Sequence, residues 1–80
     1  MEYIYSVKNG ENTYSVFRNK RVSGGKILNT YGICAENSTD TVYVPDITTV
    51  EDIVMCMVKV LSTDMVKPER IHNILYKFIS

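Results

Sequence analysis

His72 is the chain's one histidine and the first residue whose chemistry could matter. A general base or metal ligand there needs a carboxylate, a thiol or a second imidazole at hand. Glu69 at i−3 and Tyr76 at i+4 share its helical face, and the sequence offers it nothing else. Cys34 and Cys56 stand far apart, without the paired spacing of a metal site. They are expected on opposite sides of a sheet, out of reach of a disulfide, and read as small buried or half-buried hydrophobes. Asp46, Glu51 and Asp52 form an acidic group that helix capping accounts for without a cation. This inventory predicts no catalytic residue, no metal, no cofactor and no enzyme.

The run Arg18-Asn19-Lys20-Arg21-Val22-Ser23-Gly24-Gly25-Lys26 is a sharper feature. Its four basic residues, Arg18, Lys20, Arg21 and Lys26, have no acid among them. A basic hairpin can reach into a nucleic-acid groove or contact phosphates. Ser-Gly-Gly-Lys lacks the spacing of a phosphate-binding P-loop. Nine basic and nine acidic residues cancel over the whole chain, so no global field recruits polyanions or an anionic membrane. A solvated hairpin tip is the plainer reading of this run.

Three turns set the elements that would position these groups. Asn9-Gly10, read as a two-residue type I′ loop, pairs Lys8 with Glu11, Tyr5 with Tyr14 and Tyr3 with Val16. Gly24-Gly25 pairs Val22 with Ile27, Phe17 with Gly32 and Tyr14 with Ala35. The polar loop Asn37-Ser38-Thr39-Asp40 pairs Ala35 with Val42 and Ile33 with Val44, and Pro45 is expected to end that strand. One face then collects Tyr3, Tyr5, Val7, Tyr14, Val16, Tyr31, Ile33, Ala35, Val42 and Val44. The opposite face carries polar residues together with Ile4, Phe17, Cys34 and Tyr43. A slip of one residue in any strand would mix the two faces, so the agreement supports the register.

Thr48 and Glu51 have capping-box spacing, and Val50, Ile53, Val54, Met57, Val58 and Leu61 follow a helical stripe behind them. Pro68 suits a helix's first turn, and Ile71, Ile74, Leu75, Phe78 and Ile79 form a second stripe. The expected fold is α+β: a four-stranded antiparallel meander with two C-terminal helices packed on one face, ββββαα, over a single domain 1–80. No apolar stretch approaches the ~20 residues of a membrane span, and the N-terminus lacks a signal peptide's pattern. A cytoplasmic protein is the expectation.

Tyr31-Gly32-Ile33, Asp46-Ile47-Thr48 opening a helix, and Pro68 with Ile71-His72 resemble a family of small uncharacterised bacterial proteins. The resemblance runs from about Tyr14 to the C-terminus, implies the same fold and brings no site residue with it.

The first helix is apolar nearly all round, so Met55 and Val60 have no evident core to enter. The outer sheet face offers Ile4, Phe17 and Tyr43. In a chain of 80 residues with a thin stability margin, self-association can supply missing burial. The leading expectation is a non-enzymatic interaction module, a homo-oligomer or the partner of another protein, using Met55, Phe17, Tyr43 and Ile4. The alternative is a nucleic-acid accessory protein using Arg18, Lys20, Arg21 and Lys26.

Overall fold

The computed structural model describes residues 1–79, excepting the side chains of Tyr76, Phe78 and Ile79. The chain runs β1(Glu2–Asn9), β2(Asn12–Ser23), β3(Lys26–Glu36), β4(Thr41–Thr48), α1(Glu51–Thr63), a 3-10 turn over Pro68–Arg70, and α2(Ile71–Ile79). The sheet has the order β1-β2-β3-β4 with every neighbour antiparallel, so the ββββαα meander is what forms.

The central hairpin has the register that two glycines at its turn dictate. Val22 faces Ile27, Phe17 faces Gly32, Val16 faces Ile33 and Tyr14 faces Ala35. Gly24 and Gly25 both take positive φ, at 56° and 76°, as a tight two-residue loop requires. The next loop also closes as expected: Ala35 faces Val42 and Ile33 faces Val44. Asn37 braces it, its side-chain oxygen accepting from the Thr39 and Asp40 amides at 2.9 and 2.8 Å.

The first hairpin differs from the sequence expectation by two residues. Its loop is Gly10-Glu11 rather than Asn9-Gly10, so Asn9 faces Asn12, Lys8 faces Thr13, Val7 faces Tyr14 and Tyr5 faces Val16. The observed register is accompanied by a tertiary contact. Asn9 donates its amide to the Ser62 carbonyl at the end of α1, at 2.7 Å. A slip by two preserves the faces, but a bulge between Tyr3 and Tyr5 does not. Beyond it Tyr3 faces Phe17 on the outer side, while Ile4 is half-buried against the core. The expected placements of Tyr3 inside and Ile4 outside are thus exchanged.

Pro45 does not end β4. The strand continues to Thr48, which faces Tyr31, through an irregularity that sets Pro45, Asp46 and Ile47 opposite Gly32. An edge strand tolerates a missing donor at such a bulge, and Asp46 absorbs the distortion with φ 55°. The capping box is also absent. Val50 is the N-cap and has no side-chain cap, while Thr48 Oγ1 accepts from the Val50 amide at 3.1 Å.

The core forms where the sheet meets the helices. Tyr14, Val16, Tyr31, Ile33 and Ala35 pack against Val54, Met57, Val58 and Leu61 of α1 and Ile71 and Leu75 of α2. Pro68 is buried at the first position of the 3-10 turn that leads into α2. The expected Phe78 and Ile79 contributions lie outside the described side chains. Among the described residues, no helix is long and apolar enough to cross a membrane.

Candidate interaction surfaces

Three surfaces remain after the core is assembled, and each differs in part from the sequence expectation. The first is the far end of the β2–β3 hairpin. β1 accompanies β2 only as far as Arg18, and β4 accompanies β3 only as far as Tyr31. Residues 19–30 therefore project as a two-stranded arm about 20 Å long at ~3.3 Å per residue. The molecule's 42 × 26 × 20 Å extents reflect this projection. Val22 and Ile27 face each other on the arm and are 78% and 69% exposed. Leu28 is exposed on the other face.

The arm's charge is partly answered by carboxylates distant in sequence. Arg18 forms an ion pair with Glu2. Arg21 engages Asp46 with two hydrogen bonds, one from Nε at 3.0 Å, and Thr30 Oγ1 donates to the same carboxylate at 2.7 Å. Among the described residues, no ion pair reaches Lys20 or Lys26. The run of four basic residues is therefore two engaged arginines and two lysines, not a patch of four uncommitted charges.

The second surface is the outer sheet face. Phe17 is 2% exposed, so it is a packing residue and not the surface residue expected of it. Tyr3 and Tyr43 lie edge-on to its ring from the two outer strands, with centroids 6.2 and 6.3 Å away. Cys34 is buried in this layer, and burial pushes its thiol pKa up. The Tyr43 hydroxyl, and after it burial, raise the Tyr3 phenol above its ordinary value. Tyr43 and Tyr3 are half exposed and form the accessible rim of this small second core. Ile4, on the inner side of the bulge, is half-buried against the main core and takes no part in this rim.

The third surface is the side of α1 turned from the sheet. Met55, expected at the interface, is half-buried and packs against the core. The exposed apolar side is made instead by Ile53 and Val60, each 44% exposed, with Cys56 beside them. Together with Asp52 and the edge of Met57 they line a shallow apolar groove. Helical spacing explains the exchange. Ile53, Cys56 and Val60 fall at i, i+3 and i+7, whereas Val54, Met57, Val58 and Leu61 take the sheet side. Cys56 is thus an exposed thiol rather than a buried hydrophobe.

His72 is exposed on α2, and its expected neighbour Tyr76 has a side chain outside those described. Among the described residues, no group of three or more His, Cys, Asp and Glu could hold a metal ion. No family model, curated protein or solved structure matches the chain.

Proposed function

We propose that this chain is a non-enzymatic protein-interaction module that self-associates through the exposed side of α1. The observation that carries this reading is the groove of Ile53, Cys56, Met57 and Val60 on a helix whose opposite side is fully committed to the core. Fully burying an Ile or Val side chain stabilises by about 1.5–3 kcal/mol, so a copy covering the exposed halves of Ile53 and Val60 gains a useful fraction of that. A balanced charge of nine against nine leaves no net repulsion between copies. Two free thiols suit a reducing compartment, and a cytoplasmic protein is the setting proposed. Light scattering on Val60→Glu tests the reading. The variant is expected to remain folded and lose association; unchanged association overturns it.

A second reading, nucleic-acid binding, is favoured by one observation: the arm is a free two-stranded ribbon, an element that a major groove admits. It has Lys20 and Lys26 for phosphates, while Arg18 and Arg21 would have to leave their carboxylates. Retention on a polyanion column at low salt, lost in Lys20→Ala/Lys26→Ala, is its expected outcome. No retention removes it.

A further inference from the structure

We infer that the β2–β3 arm of one copy seats in the α1 groove of a second copy, and that the exchange is mutual. This rests on the reading of α1 as the self-association surface and names what covers it.

The helix-covered face of the sheet does not stop where its helices do. Parity along β2 and β3 puts Val22 and Ile27 on the same face as Val16 and Ile33. Val16 and Ile33 are fully buried beneath the helical layer, whereas Val22 and Ile27 are bare. A second copy's α1 laid on the arm would continue the sheet-on-helix layer with an apolar pair against an apolar groove. The chain's own α1 cannot do this, because its groove faces away from the sheet to which the arm belongs.

Charge selects the same pairing. The arm has basic residues and no acid, and the groove begins at the acidic first turn of α1, Glu51 and Asp52. The competing arrangement pairs two arms edge to edge through their free backbone groups. It would bring Lys20 and Lys26 of one copy toward the same residues of the other, a like-charge arrangement, since Arg21 is already answered by Asp46. Arm in groove gives opposite charges at the rim and apolar contact at the centre.

Area requires that the exchange be closed. A specific interface buries roughly 800 Å² per partner, more than one hairpin tip can supply. Two arm–groove contacts about a twofold axis double the contact, whereas a one-way contact would propagate as an open chain.

The test uses the full chain and the exposed thiol already in the groove. Ile27→Cys in a Cys56→Ser background is mixed with a size-tagged wild-type chain and mildly oxidised. The expected product is a disulfide between the two different chains, from the arm position to Cys56. Cross-linking confined to the Ile27→Cys copies points to arm–arm pairing and overturns the inference, as does no cross-link at all. A second variant, Val22→Lys/Ile27→Lys, changes only exposed positions and is expected to weaken association at least tenfold with an unchanged circular dichroism spectrum. If Val60→Glu abolishes association while this arm variant leaves it intact, self-association through α1 stands and the arm's role falls. If the wild-type chain does not associate at all, both fall.

Discussion

Phe17 lies across the backbone of Gly32, and a Cβ built on Gly32 would stand 2.6 Å from the Phe17 ring and 2.5 Å from the Val44 carbonyl oxygen. Phe17, Tyr3 and Tyr43 thereby form a second, smaller core on the face that the helices leave bare. A sheet with one face under two helices and the other under three aromatics has both faces tied down at its centre.

Gly32→Ala is expected to cost about 1–3 kcal/mol, the usual range for forcing a methyl group into packed surroundings. A ring can turn aside, but the Val44 carbonyl belongs to the paired strand and cannot. Phe17→Leu should therefore fail to rescue Gly32→Ala in thermal unfolding. Full rescue would mean that the ring alone decides the requirement for glycine.

Tyr14 is fully buried, and its hydroxyl donates to the Val66 carbonyl at 2.6 Å, tying β2 to the connector after α1. Burial raises its phenol pKa, so it remains a donor throughout the ordinary pH range. Tyr14→Phe keeps the ring and loses the bond, with an expected loss of about 1 kcal/mol in urea unfolding. A loss near zero would show that water replaces the hydroxyl there.

Cys34 is expected to contribute to an alkaline limit on the fold. Burial raises the thiol's pKa in the folded state, so the native protein holds this proton more tightly than the unfolded chain does. Stability is then full below the unfolded thiol's value of about 8.5 and falls as pH rises through the folded value. Urea midpoints from neutral pH upward should drop in the wild type and drop less in Cys34→Ala. Identical slopes would contradict the assignment. In the native protein, a thiol reagent should modify Cys56 quickly and Cys34 only on unfolding.

The two ion pairs of the arm should matter little to stability. Arg21 is largely exposed, and exposed pairs contribute roughly 0–1 kcal/mol. Arg21→Ala is expected to shift the urea midpoint only slightly, and less in high salt. A large loss would show that Asp46, held at φ 55°, depends on the guanidinium to shape the β4 bulge.

Much of the fold is legible in the sequence because glycine pairs and polarity alternation constrain a meander strongly. Gly24-Gly25 alone determines which residues meet across β2 and β3, from Val22 to Tyr14. The parts that escaped are those decided at long range. Nothing around Ile4 announces a bulge, yet that bulge moves Tyr3 to the aromatic layer and Ile4 to the core. Pro45 reads locally as a strand end, but on an edge strand it is only an irregularity. For the candidate surfaces, the exposed side of α1 was visible as excess apolarity, and Val60 was legible as one of its members, while Ile53 read as core and Met55 as surface. Met55 and Val60 differ in burial because the helix turns Met55 toward its own sheet, and the stripe alone does not say how far the core extends around it. The basic run was visible too, but Glu2 and Asp46, its counter-charges, lie 16 and 25 residues away from the arginines they meet.

Self-association through α1 is tested most directly by sedimentation of the full chain from micromolar to millimolar concentration, with Val60→Glu and Met55→Ala run beside the wild type. The wild type is expected to form a concentration-dependent dimer. Val60→Glu is expected to be a folded monomer, and Met55→Ala a dimer of reduced thermal stability. A wild-type chain that remains monomeric throughout, or a Val60→Glu chain that dimerises as the wild type does, would contradict self-association through α1.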